Sequence, residues 1–316
     1  MKKQPPASIM LSQRPHMLYL EHARVMQKDG RVLYLTAGSE KLDHFFNIPH
    51  NNTAFLMLGK GTSITDSAAR MLADANVMVG FCGSGGSPLF SGTDFTFLSP
   101  QEEYRPTEYM QAWMRMWLDD DLRLRVAKSF LKTRIEWTEE AWSKSLPLLK
   151  NRVSFPSKDA DKLLVSLRSV STTEALLSAE GHWAKAAYKA LARGFNIADF
   201  TRQENPAPDG SAMTMVNGML NHGNYLAYGI AAVALHALGI SFALPVLHGK
   251  TRRGGLVFDI ADLFKDFTSM PLAFIHGHRF SDESEFRSDL MNYLQDEKVL
   301  DRTINAIKGV LVAINK

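Results

Sequence analysis

Apolar positions along this chain follow two different rhythms. In the first hundred residues the apolar runs are short and extended in type. Met17–Met26 and Arg31–Leu35 read as strands on either side of Lys28-Asp29-Gly30, a hairpin turn in which Gly30 can take a positive φ. Thr53–Leu58, Val77–Phe81 and Asp94–Leu98 are further strand-like runs, while Asp66–Ala75 has helical spacing. From about Pro106 the period becomes helical and stays so. Met110, Trp113, Met114 and Trp117 recur at three and four residues within Tyr109–Leu118 and make one face apolar; such a stripe is ordinary core rather than a cofactor box. Leu122–Trp137 and Lys158–Ser169 continue the pattern, with 154–157 as a loop, and Glu283–Gln295 and Val299–Ala313 complete it. The expectation is an α+β chain, with a β-rich domain over residues 1–100 and an α-helical domain over 101–316. The clearest internal loop is Gln203–Gly210.

One run tests that reading. Tyr225–Leu247 is almost wholly apolar and long enough to span a bilayer. Gly239 and Pro245 interrupt it, His236 lies within it, and Asn217, Asn221, His222 and Asn224 load its N-terminal side with polar groups. A buried core helix ending near Gly239 is the reading this supports. Met1–Gln13 has two prolines and no sustained apolar run, so no signal peptide is expected there. With 45% apolar and 22% charged residues in 316, the chain has globular composition. Cys82 is the only cysteine, which excludes an intramolecular disulfide and cysteine-based zinc binding and fits the cytoplasm. A formal charge of +3 announces no nucleic-acid partner, so any basic surface must be local.

The most informative helix opens at Ser171-Thr172-Thr173-Glu174, where Ser171 and Glu174 are expected to form a capping box. It runs to Arg193, with Gly194 as C-cap. Leu176, Ala179, Trp183, Ala187, Ala190 and Leu191 form its apolar face, and Glu180 falls inside that stripe. A buried carboxylate costs several kcal/mol unless something positive compensates it. Two readings stand at this point: a structural ion pair with a Lys or Arg, or a metal ligand. Gly181 follows, where a glycine would admit a backbone or a ligand.

A second cluster lies after Pro245. His248 precedes a basic, glycine-rich loop with Lys250, Arg252 and Arg253, and Asp259 and Asp262 then fall three apart among Phe258, Ile260, Ala261, Leu263 and Phe264. That spacing puts both aspartates on one helix face. Singly, each has an ordinary explanation as a loop histidine, a cap or a surface charge. Jointly, three carboxylates and an imidazole make a hard oxygen-and-nitrogen shell suited to Mg²⁺ or Mn²⁺. The loop's guanidinium forks match phosphate oxygens, so Lys250, Arg252 and Arg253 are candidate DNA contacts. No nucleotide site is expected. Gly59-Lys60-Gly61-Thr62 lacks the Walker arrangement, and Pro88 breaks the dinucleotide pattern after Gly83-Ser84-Gly85-Gly86. Cys82 ends an apolar run like a small core residue and makes a weak nucleophile candidate.

The motifs Leu56-Met57-Leu58-Gly59-Lys60-Gly61-Thr62-Ser63-Ile64-Thr65, Glu180, Asn217-Gly218-Met219-Leu220-Asn221-His222-Gly223, Leu247-His248-Gly249 and Asp259-Ile260-Ala261-Asp262 resemble the CRISPR adaptation integrases, the CRISPR-associated endonucleases that insert new spacers. The resemblance covers most of the chain. The Gly249–Gly255 loop and Pro271-Leu272-Ala273-Phe274 sit nearest the subtype I-F branch. His222 departs from the tyrosine of many members. The resemblance implies an N-terminal β-sandwich that forms a homodimer and an α-helical catalytic domain. It implies metal ligation by Glu180, His248 and Asp262 with Asp259 in support. Its implied partners are prespacer and repeat DNA and a ferredoxin-like adaptation protein fused to the interference helicase-nuclease. The implied reaction is attack of a prespacer 3′-hydroxyl on a repeat phosphodiester. Two other functions compete on the residues alone: a general metal-dependent nuclease or phosphohydrolase, and a non-catalytic DNA-bridging scaffold.

Overall fold

The computed structural model describes residues 14, 16–36, 44–75, 77–83, 107–204, 206–207, 209–249 and 254–314. Contacts divide the chain into two units, Met1–Arg105 and Pro106–Lys316, so most of the chain is helical and the sheet structure is N-terminal.

Among the described residues the first unit holds two sheets. In one, β5 (Thr53–Leu58) lies between β1 (His16–Leu20) and β7 (Met78–Phe81), parallel to both. A central parallel strand is covered on both faces, which is why every residue of β5 is buried and its sequence is apolar without alternation. The other sheet has the order β4 (His44–Ile48), β3 (Arg31–Thr36), β2 (Ala23–Lys28), β6 (Ser63–Ile64). Lys28 pairs with Arg31 across the expected turn, and Asp29 and Gly30 both have positive φ, 51° and 71°, as a two-residue hairpin with right-handed twist demands. The single strand expected over Met17–Met26 is instead two strands in different sheets. The chain turns between them at Glu21-His22, where His22 has φ 50° and its N–H donates to Lys60 O at 2.9 Å. Helix α1 (Asp66–Asp74) is capped by Thr65, whose Oγ1 accepts the Ala68 N–H. Its Ala68 and Leu72 join Leu20, Val25, Val32, Ile48, Leu56 and Leu58 in one core. The run Asp94–Leu98 lies outside the described residues.

The second unit comprises α2 (Thr107–Trp117), α3 (Asp120–Lys144), α4 (Leu146–Lys150), α5 (Ser157–Ser169), α6 (Thr173–Gly194), α7 (Ala212–Ala237), α8 (Gly255–Lys265), α9 (Ser269–Arg279), α10 (Glu283–Asp296) and α11 (Val299–Ile314). Helix α7 is its axis, packed chiefly against α9 and α8. Being buried nearly all round along its second half, it is apolar nearly all round. It stops at Leu238, with Gly239 at φ 67°. Among the described residues no helix is long and apolar enough to cross a membrane.

Both expected caps of α6 shift by one residue. Thr172, not Ser171, is the N-cap and accepts the Ala175 N–H at 3.2 Å, which leaves Glu174 too early to close a capping box. Gly194 is the last helical residue and Phe195 the cap; the left-handed position is Asn196, φ 54°. Gly194 is glycine for a packing reason, since a Cβ there would lie 2.3 Å from Val153 Cγ2.

Candidate metal centre

The site is assembled from α3, α6, the 244–248 segment and α8. Asp259 organises it. Its Oδ2 accepts the N–H groups of Val246 (2.6 Å) and Leu247 (3.1 Å), and its Oδ1 accepts that of His248 (3.0 Å). The same Oδ1 lies 2.7 Å from His248 Nδ1. In the neutral ring, with Nδ1 donating there, Nε2 would carry the lone pair; it faces Asp262 Oδ2 at 3.6 Å. The segment is also held from the other side. Trp113 Nε1 donates to Leu244 O at 3.1 Å, and Trp117 Nε1 to Pro245 O at 2.8 Å. The indole stripe expected as plain core therefore also pins the backbone that leads to His248.

Asp259 and Asp262 share a face of α8, as their spacing implies, and both are buried. Lys265, one turn beyond Asp262, pairs with it and stands over the Tyr228 ring, 5.2 Å from its centroid. Burial alone would raise the Asp262 pKa, but Lys265, Arg134 and His248 outweigh it and hold the carboxyl below its ordinary value. Burial would likewise lower His248, but the Asp259 hydrogen bond and the charges of Asp262, Asp259 and Glu180 raise it. Lys265 follows the same logic: burial opposes its charge, Asp262 more than restores it, and the ammonium is held above its ordinary range.

Glu180 lies in the stripe of α6 with its side chain 16% exposed, and Arg134 Nη1 donates to its Oε1 at 2.6 Å. Arg134 is itself buried and forks onto Asp266, with Nε to Oδ2 at 2.6 Å and Nη2 to Oδ1 at 2.9 Å. Trp183 Nε1 reaches Asp266 Oδ2 at 2.7 Å, and Trp142 Nε1 reaches Asp266 O at 2.9 Å. The buried cation that Glu180 requires is thus Arg134, fixed by a bidentate carboxylate and an indole. Among the described residues, Glu180, His248 and Asp262 do not form a cluster whose ligand atoms all lie within 4.8 Å of one another; His248 and Asp262 face each other while Glu180 is turned to Arg134. A Cβ on Gly181 would meet nothing within 4 Å, so that glycine admits no neighbouring backbone. Lys250, Arg252 and Arg253 lie outside the described residues.

Arg134, Asp266 and Lys265 lie outside the motifs to which the sequence points, although it carries a signal for them. Arg134 interrupts the buried face Val126, Ala127, Phe130, Leu131, Ile135, Thr138 of α3 just as Glu180 interrupts that of α6, and Asp266 stands four residues after Asp262. Two buried charges of opposite sign on separate helices are candidates to pair. The Asn217 motif has a different task. Asn217 donates to Thr201 O and accepts from Arg202 and Gln203 N, while Asn221 donates to Glu204 O, so α7 anchors the loop that precedes it.

The chain matches the family model described as CRISPR associated protein Cas1 over residues 18–308. It is 43% identical over 312 residues to the CRISPR-associated endonuclease Cas1 of Pectobacterium atrosepticum, covering 96% of this chain and 94% of that one. It is 42% identical over 314 residues to the protein of that name from Pseudomonas aeruginosa, covering 96% and 94%. Its fold is similar to that of TtCas1 in a TtCas1–DNA complex, with a TM-score of 0.67 at 24% identity over 94% of this chain and 91% of the other.

Proposed function

The chain belongs to the CRISPR-associated Cas1 family, and from that premise we propose that it is a metal-dependent DNA endonuclease and integrase, with Glu180, His248 and Asp262 as its metal ligands. It inserts prespacer DNA into a CRISPR array. The observation that carries the site is the facing pair of His248 Nε2 and Asp262 Oδ2 at 3.6 Å, with the ring oriented from behind by Asp259. That separation is too long for a hydrogen bond. It is within the roughly 4.2 Å that two ligands, each about 2.1 Å from a shared ion, can span. A carboxylate behind a ligating imidazole is the usual outer partner of such a site.

A divalent ion, Mg²⁺ or Mn²⁺, supplies Lewis-acid polarisation of a phosphodiester oxygen when bound. The chain's own residues do the rest. Asp259 fixes the histidine tautomer and the 246–248 backbone. Lys265 keeps its proton and offers a fixed positive charge beside Asp262. Arg134 holds the Glu180 carboxylate in its helix stripe, and Glu180 would have to turn from it to join a bound ion. The reaction is transesterification: the prespacer 3′-hydroxyl loses its proton as its oxygen forms a P–O bond to the repeat phosphate, the bond to the leaving 3′-oxygen breaks and that oxygen takes up a proton, and no nucleotide is consumed.

The two N-terminal sheets form a β-sandwich that pairs protomers into a homodimer; what supports the sandwich is one apolar core drawn from strands of both sheets. Lys250, Arg252 and Arg253 contact DNA, the protein works in the cytoplasm, and its partner is a ferredoxin-like adaptation protein fused to the interference helicase-nuclease, as in the subtype I-F branch. Incubation of the protein and partner with a prespacer and a repeat-bearing plasmid tests the function. Joining should require Mg²⁺ or Mn²⁺ and vanish in Glu180→Ala, His248→Ala and Asp262→Ala; equal joining by all three variants would reject it.

A further inference from the structure

A second group of metal-type side chains lies across α9 and α10, on helices that carry none of the residues assigned to catalysis. His276 on α9 is 2% exposed, and its Nε2 lies 3.2 Å from Asp289 Oδ2 on α10. Glu285 stands one helical turn before Asp289, and one ligand atom from each of the three falls within 4.8 Å of the other two. Carboxylates at this spacing on one helix repel each other, yet both converge on a single buried imidazole. The Phe286 ring meets that imidazole edge-on, 5.7 Å between centroids, and shuts one side of it to water. His276 Nδ1 is buried with no hydrogen-bond partner among the described residues. The nitrogen that faces the carboxylates is Nε2, so coordination there leaves the single proton of the neutral ring on Nδ1. An imidazole lone pair and two carboxylates gathered in this way are the donor set of a cation.

We propose that His276, Glu285 and Asp289 bind a divalent transition-metal ion of the zinc class, at a site separate from the catalytic one, and that this ion clamps α10 against α9. One imidazole and two carboxylates, with no thiolate, suit Zn²⁺ and its spectroscopic stand-in Co²⁺, with water in the remaining position. The ion neutralises the carboxylate pair and joins two helices. Its role is structural.

The test uses full-length, metal-stripped protein in which His248→Gln and Asp262→Asn disable the catalytic centre. Dialysis against Zn²⁺ followed by elemental analysis should find one retained equivalent. Co²⁺ should give d–d absorption of a nitrogen- and oxygen-ligated ion, and Zn²⁺ should raise the melting temperature. Glu285 and Asp289 are exposed, so Glu285→Gln and Asp289→Asn in that background should fold with an unchanged circular dichroism spectrum. Each should weaken Zn²⁺ binding by more than the ~10–100-fold that loss of an outer-shell partner causes. No retained Zn²⁺, or retention unaffected by both substitutions, would overturn the proposal and leave His276–Asp289 an ion pair only.

Discussion

Asp259 hydrogen-bonds His248 twice, at the backbone N–H (3.0 Å) and at ring Nδ1 (2.7 Å), so one buried carboxylate fixes both where the histidine stands and which way its ring faces. Asp259→Asn keeps the shape but offers an N–H where Val246, Leu247 or His248 already points one. Mn²⁺ affinity measured by calorimetry should fall about 10–100-fold, with far-ultraviolet circular dichroism unchanged. Unaltered affinity would mean that the ring is positioned by something else.

Arg134 offers the sharpest stability prediction. It is buried between Glu180 and Asp266, and its pKa is held well above the ordinary value because the charges of Asp266, Glu180 and Asp262 overcome the opposing effect of burial. Arg134→Ala strands two carboxylates and should cost about 3–5 kcal/mol in chemical denaturation. Arg134→Lys should recover little of that, since an ammonium cannot fork onto Asp266 while reaching Glu180.

The pH dependence follows from signs. His248 titrates above its ordinary 6.5, so its stabilising contribution is complete below about 6.5 and is lost as pH rises through the raised folded value. Asp262 titrates below its ordinary 3.8; its contribution is present above that value and is lost as pH falls through the lowered one. Metal-free protein should therefore lose melting temperature as pH rises above about 6.5. Mn²⁺ affinity should rise over the same interval as the proton leaves Nε2. His248→Gln should flatten this part of the melting-temperature profile.

Trp117 should matter more to the site than its place in an apolar stripe suggests. Trp117→Phe keeps most of the packing but removes the hydrogen bond to Pro245 O, a loss of about 1 kcal/mol in stability. The accompanying expectation is weaker Mn²⁺ binding, because Pro245 lies three residues before His248. A variant with the stability loss and normal Mn²⁺ affinity would confine Trp117 to packing.

These residues show what the sequence made legible. The hairpin at Asp29-Gly30, the end of the long helix at Gly239 and the shared face of Asp259 and Asp262 are local matters of turn chemistry and period, and they read directly. The break at Glu21-His22 did not, because it depends on Lys60 and Gly61, some forty residues away, meeting the His22 backbone and ring. The caps of α6 fall one residue from their expected places because Ser171, Thr172 and Thr173 offer the same hydroxyl, and packing against Val153 explains Gly194. At the site, Glu180 was visible as a carboxylate on an apolar face. Its partner was not, since nothing local links α3 to α6.

The account stands on Glu180, His248 and Asp262 sharing one ion, although Glu180 is turned toward Arg134 without it. Anomalous diffraction from crystals soaked in Mn²⁺ tests this directly. The predicted result is a peak about 2.0–2.3 Å from His248 Nε2 and from carboxylate oxygens of both Asp262 and Glu180, with Glu180 swung away from Arg134. A peak that His248 and Asp262 bind while Glu180 keeps its 2.6 Å contact with Arg134, or no peak at these residues, would contradict it.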